Sequence, residues 1–259
     1  MLNRIAKLTV MSLSFIATAS VMYSQAKQPV PNAIEILELA GNALGGDAFF
    51  NPKPYRIILS STSHDSYDGK KTVNRVDTYK NGKYHIDATI LIKRIGQPFY
   101  MKSITDMAKA ETWEWFSSEK GGYQKAKDGV QSPVIPFTKK SSWKEMIFDL
   151  VNVIVQDGKE YYKLEAKYSK PERRDLRVTY LIDTGTYLVY KIETINIKKS
   201  YKFSRTIMSY ARVQDIMIPK KYTTESTDVN GGKFYYEYNI SQFEFADDIP
   251  DSLFVVPKK

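Results

Sequence analysis

Near the start of the mature region, apolar residues recur at three- and four-residue steps: Ile34, Leu37, Ala40 and Leu44. That spacing, with Asn32 able to cap one end and Gly45-Gly46 to stop the other, predicts an amphipathic helix over 33–44. From Tyr55 onward the period changes to two. Short segments rich in β-branched and aromatic residues predict strands over 55–63, 72–79, 83–93, 99–105, 112–116 and 123–126, with turns at Asp68-Gly69, Asn81-Gly82 and Gly121-Gly122. Ser142-x-x-Glu145 reads as a capping box ahead of Met146, Ile147 and Leu150, which predicts a second helix over 142–150. Further strands follow over 151–156, 161–168, 175–182, 187–195, 201–210, 220–227 and 233–245. Strands joined by such tight turns must run antiparallel.

Several strands read as dry on one face and mixed on the other. Tyr84, Ile86, Ala88, Ile90 and Ile92 alternate with His85, Asp87, Thr89 and Leu91; Val178, Tyr180 and Ile182 alternate with Arg177, Thr179 and Leu181. So many antiparallel strands in one domain must split into a sandwich or curl, because an open flat sheet would leave an apolar face uncovered. Curling is the expectation here. A curled sheet of more than eight strands encloses room for a plug or a ligand, and the two short helices are of a size to cover the concave side. No break in composition divides residues 27–259, which are expected to form a single domain.

Charge and composition narrow the chemistry. Arg4 and Lys7, an apolar stretch from Leu8 to Val21 and Ser24-Gln25-Ala26 read as a signal peptide over 1–26, cleaved near Ala26. The stretch is interrupted by Ser and Thr and falls short of the roughly 20 apolar residues of a membrane span. An exported, periplasmic protein is expected. The sequence pI near 9.3 is carried by scattered doublets such as Lys139-Lys140, Arg173-Arg174 and Lys220-Lys221, so no nucleic-acid-reading element is expected. The chain has no Cys, which removes thiol nucleophiles, zinc-thiolate sites and an N-terminal lipid-anchor cysteine. The two His, His64 and His85, have no partners identifiable in the sequence. Asp247, Asp248 and Asp251 lack the spacing of a calcium loop, and Glu111 with Glu114 is not supported as a glycosidase pair. No enzyme, metal or cofactor is expected.

Val178-Thr-Tyr-Leu-Ile-Asp183-Thr-Gly-Thr186-Tyr187-Leu188, preceded by Asp157-Gly-Lys-Glu-Tyr-Tyr-Lys-Leu-Glu165, resembles the central hairpins of the LolA-like periplasmic outer-membrane lipoprotein-sorting proteins. The helix ending Ala43-Leu-Gly-Gly46, the strand Thr112-Trp113-Glu-Trp115-Phe116, the strand entry Ile216-Met-Ile-Pro219 and the terminal Asp251-Ser-Leu-Phe254 are similar as well. The resemblance implies a mainly β fold: a half-open antiparallel barrel of about eleven strands, with helices over its concave face and an apolar cavity for acyl chains. Where that family carries an Arg that latches the helical lid, this sequence has Lys80 or Asn81. Lysine lacks the forked donors of arginine.

The expected cavity lining is Tyr84, Ile86, Ile90, Trp113, Trp115, Leu164, Val178, Tyr180 and Ile192, with Met146, Ile147 and Leu150 from the second helix. The function expected is a monomeric periplasmic carrier or binder of lipid or lipoprotein acyl chains, in passing contact with membrane or envelope proteins. An envelope sensor or protein-interaction module of the same fold is the alternative, and an exported hydrolase stands behind both.

Overall fold

The computed structural model describes residues 31–66, 69–109, 111–118, 122–126, 143 and 145–257; the expected export signal over 1–26 and Ser142 lie outside them. The polypeptide begins with α1 (Ala33–Leu44). Asn32 Oδ1 accepts from the backbone N–H groups of Ile34 and Glu35, both at 3.0 Å, and Glu35 Oε2 accepts from the Asn32 N–H at 2.9 Å. This reciprocal capping satisfies donors that the first helical turn leaves open. The helix stops at Gly45, whose φ of +124° suits glycine, and whose missing Cβ leaves room for the backbone oxygen of Asp215. Its inward stripe is Ala33, Ile36, Leu37, Ala40 and Leu44. Ile34, expected on that stripe, is 42% exposed instead. A four-residue helix, α2 (Asp47–Phe50), follows and buries Phe49.

Among the described residues thirteen antiparallel strands make one sheet: β1 (Tyr55–Asp65), β2 (Gly69–Lys80), β3 (Lys83–Ile92), β4 (Pro98–Asp106), β5 (Glu111–Phe116), β6 (Gln124–Lys125), β7 (Met146–Gln156), β8 (Lys159–Tyr168), β9 (Leu176–Asp183), β10 (Val189–Asn196), β11 (Tyr201–Val213), β12 (Ile216–Thr227) and β13 (Lys233–Phe245). The order is β6-β5-β4-β3-β2-β1-β13-β12-β11-β10-β9-β8-β7, two meanders joined where the first strand pairs with the last. Among the described strands the sheet is not closed, and β6 and β7 stand at its two ends. Positive φ at both residues of Asn81-Gly82 and of Asp157-Gly158 gives these hairpins the turn that matches strand twist.

Curvature follows from what α1 touches. It packs against both β12 and β7, five strands apart in the sheet. At about 4.8 Å per strand those two would lie about 24 Å apart if flat, twice the width of a helix at roughly 10–12 Å. The sheet therefore bends round the helix. One apolar core results, from α1 together with Tyr55, Ile57, Leu59, Leu164, Tyr180, Ile182, Val189, Ile216 and Ile218. The fold is the mainly β, open, helix-covered architecture expected, with thirteen strands among the described residues.

The second helix is a correction. Met146, Ile147 and Leu150 belong to β7, paired with Tyr168, Lys167 and Glu165 of β8. The Glu145 carboxylate pairs with Lys170 Nζ at 2.6 Å, and its backbone oxygen accepts from the Ser169 N–H at 2.8 Å. A neighbouring strand supplies the backbone partners here, and a local capping signal loses to that ladder.

Candidate functional site on the concave face

The register decides which side chains share the helix-covered face. On β1, Tyr55, Ile57, Leu59, Ser61 and Ser63 point inward; across β2 they meet Tyr79, Asp77, Arg75, Val73 and Lys71, and across β3 the row continues as Tyr84, Ile86, Ala88, Ile90 and Ile92. In the other direction Ser61 meets Tyr238, which meets Tyr222 and then Ile207. Ser63 meets Tyr236, then Thr224, Arg205, Ile192, Tyr180 and Leu164.

The twelve expected lining residues divide between the two faces. Tyr84, Ile86, Ile90, Met146, Leu164, Val178, Tyr180 and Ile192 occupy inward register positions. Trp113 and Trp115 do not: Trp113 pairs with Ile104, which pairs with His85, and all three are on the convex side. Ile147, 48% exposed, is also on that side, and Leu150 pairs with the outward Glu165. The concave lining thus gets neither tryptophan.

Burial along the inward rows is uneven. Tyr55, Ile57 and Leu59, and farther out Ile92, are sealed, whereas Val73, Ile90 and Phe99, which form one cross-strand row, are half-buried. Phe203, Phe234 and Tyr236 across the sheet are half-buried as well. Alongside this accessible row, where Ser61 pairs with Val73, β1 switches from large apolar groups to the small Ser61 and Ser63. This stretch is therefore an apolar surface that water still reaches.

Stacked aromatic rings mark the middle of the face. Tyr222 and Tyr238 stack at 4.5 Å, Tyr55 and Tyr79 at 4.9 Å, and Tyr55 and Phe243 at 5.0 Å. Burial raises the Tyr222 and Tyr210 phenols well above the usual tyrosine range and pushes Tyr84 up to about 12, so these hydroxyls stay neutral. Tyr210 donates to the Val189 backbone oxygen at 2.6 Å.

Arg75, Asp77 and Arg205, which no alternation pattern singled out, sit among these rings. Arg75 donates from Nη2 to Asp77 Oδ2 at 2.8 Å, with the two side chains 18% and 9% exposed. Arg205 lies over the Tyr222 ring at 5.3 Å and the Phe203 ring at 5.9 Å. Burial raises the Asp77 carboxyl above its usual range despite Arg75, and lowers the Arg205 guanidinium. For Arg75 burial pulls downward, but Asp77 and the two tyrosines outweigh it and the net direction is up. The legible signal was Arg205 itself, an arginine between Phe203 and Ile207 on an apolar parity.

On the convex side, a groove of about 770 Å³ runs over β1, β2 and β3, lined by Ile58, Asn74, Val76, His85 and Asp87 and bordered by Leu253. Burial lowers the His85 imidazole below its usual range, against Asp87 and with help from Lys102. Lys80, one of the two residues expected at the family's latch position, donates to the Ile249 backbone oxygen at 2.7 Å and pairs with Asp251 at 3.0 Å. It fastens the C-terminal 3-10 turn (Asp251–Phe254). Glu111 pairs with Lys125 at 2.7 Å.

No family model matches the chain, and no curated protein matches it by sequence. Solved structures do match in fold. A LolA superfamily protein from Nitrosomonas europaea aligns over 87% of this chain and 98% of its own, with TM-score 0.57 and 13% identity. A putative outer-membrane lipoprotein-sorting protein domain from Vibrio parahaemolyticus aligns over 85% and 95%, with TM-score 0.56 and 13% identity. A DUF1329 family protein from Desulfovibrio piger aligns over 85% and 96%, with TM-score 0.55 and 11% identity. The chain has the LolA-like fold.

Proposed function

We propose that this protein is a periplasmic binder or carrier of lipid or lipoprotein acyl chains, exported through residues 1–26 and working as a monomer that meets membranes or envelope proteins in passing. The observation that carries the reading is the inward row of Val73, Ile90 and Phe99, apolar and half-buried beside a core that α1 has already sealed. Likeness of fold to a lipoprotein-sorting domain supports it.

The physical basis is burial of hydrocarbon. Each methylene taken out of water is worth about 0.8 kcal/mol, so a long acyl chain offers on the order of 10 kcal/mol before ordering costs. A surface that is apolar yet reachable collects that energy without a nucleophile or a bound nucleotide. Among the described residues no helix is long and apolar enough to cross a membrane.

Native mass spectrometry of the exported, purified protein, with organic extraction of what it carries, tests the proposal. The expected result is about one acyl lipid per chain, with uptake from vesicles after delipidation. Protein that emerges lipid-free and takes up none from vesicles contradicts it.

A further inference from the structure

Resting on the acyl-binding reading, we infer that the concave face also selects the head group of its ligand: Arg75, Asp77 and Arg205 receive a phospholipid-type head that carries an oxyanion beside a hydroxyl or ammonium donor.

Two guanidiniums and one carboxylate converge on a single pair of rings. Arg75 lies one cross-strand row to one side of the Tyr222–Tyr238 stack, and Arg205 one row to the other. Both act electrostatically on both tyrosines. Placing charges on the inward face of a sheet costs free energy unless they are paired and their hydrogen bonds made. Here the pairing is incomplete. Arg75 Nε and Asp77 Oδ1 are buried and find no hydrogen-bond partner among the described residues, although the two side chains bond to each other through Nη2 and Oδ2. Ser63 Oγ, on the same strand face as Ser61, is in the same condition.

Those open groups specify a complement. A guanidinium N–H asks for an acceptor and matches an oxyanion best; a carboxylate oxygen asks for a donor; a serine hydroxyl takes either. A phosphodiester next to a glycerol hydroxyl or an ammonium answers the guanidinium and the carboxylate together, whereas a bare diacylglycerol leaves the guanidinium without an anion. The tail has a place to go. Val73 stands two residues from Arg75 on the same face of β2, about 7 Å along the strand, and opens the accessible row through Ile90 to Phe99. Head and tail thus meet adjoining parts of one surface.

The test compares phosphatidylglycerol, diacylglycerol with the same acyl chains, and free glycerol phosphate, each titrated into the delipidated full-length mature protein and read by native mass spectrometry. The expected result is a preference for phosphatidylglycerol over diacylglycerol of roughly tenfold or more, with little binding of glycerol phosphate alone. The double variant Arg75→Met, Asp77→Leu removes the pair together, and its preference is expected to fall to near one. Arg205→Lys, which keeps the charge and tests the fork, is expected to reduce the preference severalfold while circular dichroism stays that of the wild type. Equal occupancy by phosphatidylglycerol and diacylglycerol, or a preference unchanged in both variants, overturns the head-group inference and leaves acyl binding standing. Tight binding of glycerol phosphate alone overturns it in favour of a free-phosphate site. Binding of none of the three overturns the acyl reading and this one with it.

Discussion

The concave face has two regions built on the same strands with opposite fates. Tyr55, Ile57 and Leu59 share one buried cluster with Ile36, Leu37, Ala40 and Leu44 of α1, and this region is a core in the ordinary sense. A few residues along, Val73, Ile90 and Phe99 keep the same inward direction and similar chemistry but stay half-buried. The difference teaches that apolar alternation specifies a face, whereas what covers the face decides whether it stabilises the fold or is available to a ligand. Folding energy and binding energy come from one kind of surface, divided by a twelve-residue helix.

The largest expected effect breaks that division. Leu37→Ala removes a side chain with no exposure and is expected to cost about 2–5 kcal/mol in chemical denaturation, whereas Ile90→Ala is expected to cost less than about 1.5 kcal/mol while lowering acyl-lipid occupancy severalfold. Equal stability losses at the two positions would erase the distinction. Next in size is Gly45→Ala. The new Cβ would stand 2.6 Å from the Asp215 backbone oxygen at a φ of +124°, and a loss of about 2 kcal/mol or more is expected in the same unfolding assay. Asn32→Ala withdraws the acceptor for two helix N–H groups, for an expected loss of about 1 kcal/mol. A helix that holds its place without that cap would show that packing alone fixes it.

The smallest effect is a pH dependence on the convex face. Because burial depresses the His85 pKa, the unfolded chain takes up its proton first on acidification. Stability is therefore lost as pH falls below about 6.5, and the loss levels off once pH passes the lower folded value. Thermal melts between pH 7 and pH 5 are expected to fall further for the wild type than for His85→Gln. Parallel curves would contradict the buried neutral imidazole.

What the sequence made legible depended on how local the cause was. Helix α1 carries its own instructions in Asn32, Glu35 and Gly45, and the hairpins at Asn81-Gly82 and Asp157-Gly158 carry theirs. The sequence predicts helix only for the first part of β7, over 146–150, because Ser142-x-x-Glu145 is a local signal, while the partners that make Met146–Gln156 one strand come from β8. The alternation pattern puts Trp113 and Trp115 on the concave side for a related reason. Glu111–Phe116 carries aromatics on both parities, Trp113 and Trp115 on one and Phe116 on the other, so its phase is set only when Trp113 pairs with Ile104. Arg75 and Asp77 escaped notice because both parities of β2 are mixed, and only the cross-strand register brings them beside Tyr222 and Tyr238.

Photo-crosslinking with a diazirine-bearing fatty acid, mapped to single residues on the delipidated protein, asks most directly where hydrocarbon goes. Labels are expected at Val73, Ile90 and Phe99 on one side of the sheet and at Phe203 and Phe234 on the other, with Leu37 and Leu59 unlabelled. Labels gathered at Ile58 and Val76 in the convex groove, or absent from the concave row, would contradict a ligand held on the accessible part of the inner face.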